Sequence, residues 1–184
     1  MMDTQRIPSI ELSAADERTK RNFEKLTARI GRVPNMPRAM AQSPAVLDGY
    51  MSLSVALIKG RLGKRLGEEL ALTLAGTNRC EYCASAHSAT GKLAGLKGTD
   101  VAAALQGKAE DASEAAALKC ASAVVEKRGR IDDADFKAIT DAGFTPGEVS
   151  EIVAHVVVNT FSNYFNNVAR TEIDFHSADG SKAA

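Results

Sequence analysis

What the sequence lacks already excludes several classes of protein. No run approaches the roughly 20 uninterrupted apolar residues of a membrane-spanning helix, and the polar start MMDTQRIPSIELSAADERTKR lacks the apolar stretch of a secretory signal. Lysine plus arginine total 23, as do aspartate plus glutamate, so no net charge favours nucleic acid or anionic lipid. Three cysteines are too few, and an odd number, for a disulfide-built secreted scaffold. We therefore expect a cytoplasmic protein without a nucleic-acid or membrane partner.

Signals for a β-sheet are also scarce. Aromatic residues make up only 5% of the 184 residues, and no long run alternates apolar with polar side chains, whereas alanine is abundant. No linker rich in proline, glycine or serine divides the chain. These features predict an all-α fold, with a single helical domain over residues 1–184 and irregular ends at 1–12 and 176–184.

Capping residues and glycines set the predicted helix boundaries. Ser13 and Ser113 are each the predicted N-cap of a helix. The two prolines of GRVPNMPRAM predict an ordered loop. The motif Thr145-Pro-Gly-Glu148 combines a capping box with proline at the first helical position, so it predicts the start of the last long helix. Helices are expected over about 13–30, 44–60, 63–78, 80–96, 113–128, 132–142 and 146–173, with a short one capped by Thr99 and Asp100.

The stretch RCEYCASAHS places two thiols and an imidazole at helical spacing. Cys80 and Cys83 lie one turn apart, within reach of a disulfide, and Cys83 and His87 form an i, i+4 pair. Cys80 and His87 are two turns apart, roughly 10 Å, so the imidazole acts on Cys83. An imidazole and a helix N-terminus both lower the pKa of a thiol. We therefore predict that Cys83 is the attacking sulfur and Cys80 the resolving one.

Two plainer interpretations of this cluster stay open. Two cysteines and a histidine could bind zinc, but the pattern offers no clear fourth ligand, and the other histidines are His155 and His176. Cysteines also fill cores as inert small side chains, which is our interpretation of Cys120 among alanines and valines. We interpret His155, on the apolar last helix, as a core or interface histidine.

A catalytic histidine usually needs a third group to orient it. Glu68 and Glu69, on the preceding helix, are the candidates, and helix periodicity does not choose between them. Three asparagines of the last helix share one of its faces, namely Asn159, Asn163 and Asn166. We interpret that face as capping neighbouring helices or meeting another subunit, and lining of a site is the less favoured alternative.

The segment EELALTLAGTNRCEYCASAHSATGKLAGL, within residues 64–96, resembles the core motif of the alkylhydroperoxidase D-like branch of the carboxymuconolactone decarboxylase family. That motif is a glutamate, twelve residues to a cysteine, then C-x-x-C-x-x-x-H, and counting back twelve residues from Cys80 reaches Glu68. The resemblance implies that Cys83 is the peroxidatic thiol and Cys80 its partner, and that His87 and Glu68 form a proton relay. It also implies a helical bundle that assembles into homo-oligomers, commonly trimers or hexamers.

The last helix extends this resemblance over most of Pro34 to Phe175. Its stretch NTFSNYFNNVARTEIDF is similar to a branch of the family known mainly as peroxidase-related proteins. The true decarboxylases of the family lack the cysteine pair. The best-known peroxidase of the family has a histidine where Tyr82 stands, and tyrosine, with a pKa near 10, is no base at neutral pH. The resemblance therefore implies a modest peroxidase or a general thiol–disulfide enzyme.

Together these inferences predict an antioxidant enzyme, a cysteine-based alkyl hydroperoxide reductase with a redox-active disulfide. No haem, flavin or nicotinamide motif occurs in the sequence, so no bound cofactor is expected, and electrons must come from an external dithiol reductant protein. The alternative from another class is a non-catalytic helical oligomer that senses redox state or binds metal. A weaker alternative is a decarboxylase-type lyase acting on a small acidic lactone.

Overall fold

The computed structural model describes residues 4–175, and within this range every regular element is a helix. The all-α prediction is therefore confirmed. A 3₁₀ turn at Leu12–Ala14 precedes the α-helices. None of the helices described is both long and apolar enough to cross a membrane. The α-helices are α1 Glu17–Ile30, α2 Asn35–Met40, α3 Pro44–Ile58, α4 Gly63–Thr77, α5 Glu81–Leu93, α6 Gly98–Ala104, α7 Ala112–Glu126, α8 Asp133–Asp141 and α9 Pro146–Ala169.

The predicted capping box of the last helix is confirmed. The Thr145 hydroxyl accepts a hydrogen bond from the Glu148 backbone N–H at 3.3 Å, and the Glu148 carboxylate accepts one from the Thr145 N–H at 2.8 Å. Pro44 is the first residue of α3, as predicted, and the predicted Asp132 caps α8 through the Asp135 N–H at 2.9 Å. These starts were predictable because each signal involves only neighbours in sequence.

Two predictions that a serine is the N-cap of a helix are wrong, because a nearby aspartate is the N-cap in each case. Asp16, and not Ser13, caps α1, and its carboxylate accepts from the Thr19 N–H at 2.7 Å. Asp111, and not Ser113, caps α7. A carboxylate at a helix N-terminus adds a favourable charge–dipole interaction to the hydrogen bond that a serine hydroxyl would also make.

Two further boundaries differ from the prediction. The proline-containing stretch 31–40, predicted to be a loop, contains α2, because Pro37 is its third residue, where a backbone N–H has no partner within the helix. The N-cap of α6 is Lys97 rather than Thr99. Asp100 reaches back from the first turn and accepts from the Lys97 N–H at 2.9 Å.

Helix α4 lies at the centre of the described fold, since it contacts α3, α5, α6, α7 and α9. One buried cluster joins α4 to α6–α9 around Leu70 and Ile152, and a second joins α1, α2, α3 and α5 around Met40 and includes both cysteines of the motif. A side chain at Gly76 would place its Cβ 2.1 Å from the Leu105 carbonyl oxygen, so only glycine lets the end of α6 lie against α4. Helix α4 thus connects the structural core to the cluster that contains the cysteines.

A buried carboxylate lies on the side of α4 that faces α6 and α7. Glu69 is only 2% exposed, and it pairs with Arg65, whose guanidinium also contacts Glu114 and Asp100 at 3.1 and 3.5 Å. Burial, together with the negative charge of Glu114, raises the pKa of Glu69 to about 7 although Arg65 opposes the rise. Glu69 therefore belongs to a structural network with more negative than positive charge.

Glu69→Gln should change how stability depends on pH. The folded protein holds the Glu69 proton more tightly than the unfolded chain, whose glutamates titrate near pH 4.3, so this group makes the free energy of unfolding fall as pH rises from about 4.5 through 7. Relative to the wild type, the variant should gain about 3 kcal/mol in chemical denaturation between pH 4.5 and 8. Glu24→Gln, at an exposed position of α1, is the control. Parallel pH profiles for the wild type and Glu69→Gln would contradict the assignment.

Candidate active site

A carboxylate of α4 meets an imidazole of α5. Glu68 Oε2 lies 2.8 Å from His87 Nδ1, and the same oxygen accepts a hydrogen bond from the Thr90 hydroxyl at 2.7 Å. The choice that periodicity left open is resolved geometrically, because Glu68 faces His87 whereas Glu69 faces Arg65 on the other side of α4. Both faces of α4 are buried, so apolar periodicity could not distinguish the two glutamates.

The Glu68–His87 contact has the electrostatics of an ion pair. Burial acts to lower the pKa of His87, but the Glu68 carboxylate outweighs it and raises that pKa. Burial likewise acts to raise the pKa of Glu68, and the histidine outweighs it and lowers that pKa. The paired state is thus a carboxylate and an imidazolium, and Nδ1 is occupied by Glu68 while Nε2 is free to act on other groups.

The two cysteines of the motif occupy different positions at the start of α5. Cys80 is its N-cap, and the Cys80 sulfur accepts a hydrogen bond from the Cys83 backbone N–H at 3.3 Å. Cys83 lies within the first helical turn. Both are free thiols and both are buried. The sulfur of Cys83 therefore benefits from the N-terminal end of the helix dipole, which favours negative charge.

The environment makes the two thiols unequal in acidity. A hydrogen bond from the Cys80 thiol lowers the pKa of Cys83, burial opposes this, and the charge of His87 and two asparagine amides add to the lowering, to about 6. The hydrogen bond to Cys83 and burial raise the pKa of Cys80. Cys83 is thus the thiolate at neutral pH and Cys80 the thiol that donates to it. Their roles as attacking and resolving sulfurs stay a prediction.

An asparagine of α9 contacts the Cys83 sulfur. Asn166 Nδ2 lies 3.2 Å from Cys83 Sγ and 3.1 Å from Met36 Sδ, and Asn163 also lowers the pKa of Cys83. Both side chains are buried. The less favoured interpretation, a face that lines the site, therefore applies to Asn166, whereas Asn163 accepts a hydrogen bond at 2.9 Å from Asn78, the C-cap of α4, as a capping face would. The available signal was the pair of amides on an otherwise apolar helix, since buried amides require polar partners.

The remaining residues singled out in the sequence are buried or lie outside the described range. Asn159 donates to the His155 carbonyl of its own helix at 2.9 Å. His155 is buried and burial lowers its pKa, and both residues line the cavity that also contains Cys83 and His87. Cys120 is buried in the cluster on the far side of α4, as the inert interpretation predicts. His176 lies outside the described residues.

Tyr82, between the two cysteines, connects α5 to the segment that follows α9. Its hydroxyl accepts from the Met36 N–H at 3.1 Å and donates to Asp174 Oδ1 at 3.0 Å, and its ring packs edge-on against Phe175 at 5.8 Å between centroids. Burial and the Asp174 charge raise the pKa of Tyr82. It is therefore a neutral phenol that holds chain segments together.

Cys83 and His87 line a cavity of about 450 Å³ whose walls come from α1, α3, α4, α5 and α9. Cys80 does not line it and is only 1% exposed. A molecule entering the cavity would therefore reach the acidic sulfur first. Among residues 4–175, no group of three or more histidine, cysteine, aspartate or glutamate side chains is arranged to hold a metal ion.

Comparison with known proteins supports the class that this fold and site define, a helical bundle with a cysteine pair beside a histidine. Residues 44–127 match the sequence model of the carboxymuconolactone decarboxylase family. No curated protein matches the chain. The chain has the alkylhydroperoxidase D-like fold, and the family model matches the segment that contains the motif, so the resemblance found in the sequence is confirmed.

Solved structures show the same fold over almost the whole chain. The alkylhydroperoxidase AhpD core of a peroxidase-related protein from Ralstonia eutropha JMP134 has a TM-score of 0.86 at 22% identity, covering 100% of this chain and 99% of its own. A peroxidase-related protein from Silicibacter sp. TM1040 has a TM-score of 0.81 at 20% identity, with 98% and 97% covered. The debrominase Bmp8, in complex with 2,3,4-tribromopyrrole, has a TM-score of 0.79 at 20% identity, with 94% and 93% covered.

Asn166→Leu should raise the pKa of Cys83 by about one unit, because a donor to a charged group contributes about 1.5 kcal/mol. The shape of the side chain is nearly kept, so the fold should persist, as circular dichroism would verify. The pKa is measured from the pH dependence of Cys83 alkylation by iodoacetamide, followed by mass spectrometry.

Asn167→Leu is the matched control for this substitution. Asn167 is exposed on the same helix, and its amide donates to the Asn78 carbonyl at 3.0 Å rather than to a sulfur. In the Asn167→Leu variant, the pH dependence of Cys83 alkylation should be the same as in the wild type. An unshifted profile for Asn166→Leu would show that the amide does not stabilise the thiolate.

Proposed function

We propose that this protein is a thiol peroxidase that reduces organic hydroperoxides. The observation that supports this most is the environment of Cys83, an acidic thiol whose pKa is lowered to about 6, in the wall of an apolar cavity. A second thiol on the same helical turn and a Glu68–His87 pair complete what a peroxidatic cysteine requires. The fold shared with peroxidase-related proteins is consistent with this activity.

In the proposed reaction the Cys83 thiolate attacks the terminal oxygen of the hydroperoxide. The O–O bond breaks, Cys83 becomes a sulfenic acid, and the departing alkoxide takes a proton to give the alcohol. His87 is the proposed proton donor in this step, because the Glu68 carboxylate raises its pKa and so favours the protonated form. The Cys80 thiol then condenses with the sulfenic acid, which releases water and forms the disulfide.

The proposed cycle needs two electrons from outside the protein for each hydroperoxide reduced. An external dithiol supplies them by thiol–disulfide exchange, which restores both cysteines and leaves the donor as a disulfide. The sum is one hydroperoxide and one dithiol converted into an alcohol, a water molecule and a disulfide. We propose a dithiol reductant protein as this donor.

We also propose that the protein is a homo-oligomer. Five large apolar side chains are exposed along one face of α9, a set that we name the α9 stripe: Val153, Val157, Phe161, Tyr164 and Val168. They span fifteen residues, about 22 Å of helix, and nonpolar faces of this extent usually mark contacts between proteins. A second copy of this chain is the occupant proposed, in line with the oligomers that the family resemblance implies.

The central test of the proposed function replaces each cysteine with serine. Cys83→Ser should lower steady-state reduction of cumene hydroperoxide, driven by dithiothreitol, by more than about 100-fold, because the nucleophile is lost. Cys80→Ser should still react once and accumulate a sulfenic acid on Cys83 that dimedone traps. Cys120→Ser, a substitution in the core outside the site, is the control. Wild-type rates should rise as pH increases through about 6, where the Cys83 thiolate forms.

Other outcomes of the same experiment would replace the proposal. Stoichiometric zinc binding without turnover would favour the non-catalytic oligomer, and consumption of an acidic lactone that needs neither cysteine would favour a lyase. The debrominase neighbour suggests a brominated pyrrole as a further substrate to assay. Release of bromide that requires both cysteines, without hydroperoxide reduction, would indicate reductive dehalogenation.

Val157→Glu should disrupt the proposed assembly, because it places a charge in the middle of the α9 stripe. Light scattering after size exclusion should give a multiple of the 19.5 kDa chain mass for the wild type and a lower mass for the variant. Phe136→Glu, at an exposed apolar position of α8, is the control and should keep the wild-type mass. A monomeric wild type would contradict the proposal.

A further inference from the structure

The mouth of the cavity has apolar side chains exposed to water. Exposed large aliphatic side chains line the cavity from α1, α3 and α5, namely Ile30, Val55, Ile58 and Leu93. Leu93 is 90% exposed, which is an unfavourable position for leucine unless something covers it. Side chains of this kind around a cavity indicate a ligand with an apolar body that extends from the interior to the rim.

The interior of the cavity is also larger and more apolar than hydrogen peroxide requires. Met36, Met51 and Tyr50 line it beside the polar group formed by Cys83 and His87. Burial raises the pKa of the half-buried Tyr50 to about 12, so its phenol is neutral in that wall. The shape thus favours an organic hydroperoxide whose reactive end lies at Cys83.

A guanidinium lies in the wall of this mainly apolar cavity. Arg29, an exposed residue in the last turn of α1, lines the cavity near its mouth, and no carboxylate within residues 4–175 forms an ion pair with it. Its positive charge acts on Glu68 and on Tyr50, where it favours a lower pKa in each case. Lys64, from the first turns of α4, is a second cation in the wall.

The acidic group in the cavity wall forms no ion pair with Arg29 or Lys64, and it is hydrogen-bonded to other side chains. Glu68 is the carboxylate of the wall, and its Oε2 is shared by His87 and Thr90. Arg29 therefore faces the cavity with an unused fork of N–H donors, which fits a carboxylate in two parallel hydrogen bonds.

We infer that the cavity takes an apolar hydroperoxide that carries a carboxylate, with the peroxide group at Cys83 and the carboxylate at Arg29. This inference rests on the proposed function for the peroxide end, whereas the carboxylate end stands on Arg29 and the rim alone. An amphipathic acid of this kind would also cover the exposed aliphatic side chains of the mouth. Its class includes hydroperoxides of fatty acids and of aromatic acids.

The test separates binding of the carboxylate from turnover of the peroxide. For binding, the probes are 4-tert-butylbenzoate, which has no peroxide group, and its neutral methyl ester, measured by calorimetry. For turnover, the probes are the para-carboxylate derivative of cumene hydroperoxide and the methyl ester of that derivative. The wild type should prefer each carboxylate about five-fold over its ester, the factor expected of a partly exposed ion pair. High salt should reduce this preference.

Two variants assign the preference to one residue. Arg29→Gln should bind the acid and the ester alike, while Arg21→Gln, exposed on α1 and outside the cavity wall, should keep the wild-type preference. Arg29→Lys, which keeps the charge but loses the fork, should be intermediate.

The inference is overturned if the wild type binds acid and ester equally, or if Arg29→Gln keeps the preference. If 4-tert-butylbenzoate binds through Arg29 but no hydroperoxide is reduced, the carboxylate site stands and the peroxidase proposal falls. If the acidic and the esterified hydroperoxide are reduced at equal rates, and 4-tert-butylbenzoate and its methyl ester bind equally well, the peroxidase proposal stands and the carboxylate site falls.

Discussion

The chemistry of this site depends on the contact that joins Glu68 of α4 to His87 of α5. Burial alone would raise the pKa of Glu68 and lower that of His87, because it disfavours both charges. At 2.8 Å they stabilise each other as an ion pair, and the imidazolium then lies beside Cys83. A carboxylate fifteen residues before the cysteine thus influences the charge of a sulfur that it does not touch. The packing of α4 against α5 therefore adds the imidazolium charge to the hydrogen bond from Cys80 that lowers the pKa of Cys83.

The two sulfurs differ because they compete for one negative charge. They share the first turn of α5, and two thiolates so close would repel each other, so one remains protonated. Cys83 accepts hydrogen bonds from Cys80 and Asn166 and lies near the positive charge of His87, and all three lower its pKa. The hydrogen bond to Cys83 and burial raise the pKa of Cys80. The difference arises from position in the turn and from α9, since the residue type is the same.

A feature of this structure was predictable from the sequence when the residues that form it are close together along the chain. The capping box of α9 and the Cys-x-x-Cys-x-x-x-His spacing are local, and both were predictable. Asp16 and Ser13 lie three residues apart and both satisfy the local rule for an N-cap, so the sequence alone could not rank them. Glu68 was selected only by family resemblance, because α4 is buried on both of its faces.

Asn166 illustrates why the rest of the site could not be read from the sequence. It lies 83 residues from the sulfur that it contacts. Helical periodicity shows which residues share a face of one helix, but it does not show which other helix packs against that face. Its neighbour Asn163 holds a second amide, that of Asn78, at 2.9 Å, so the two asparagines also connect α9 to the turn before α5. The same contacts thus position the helix and acidify the thiol. A structural role and a chemical role cannot be separated from helical spacing alone.

Burial of the sulfurs bears on the regeneration step of the proposed cycle. Only Cys83 lines the cavity, so in a Cys80–Cys83 disulfide the entering thiolate meets the Cys83 sulfur and expels Cys80. Burial raises the pKa of Cys80 and therefore disfavours it as a leaving group. Its hydrogen bond to the Cys83 thiolate does not oppose this step, because Cys83 carries no charge while it is bonded to the sulfur of the donor. His87 lies two turns from Cys80, so it does not relieve this step by protonating the departing sulfur directly, and the rate depends on how the donor enters through the apolar mouth.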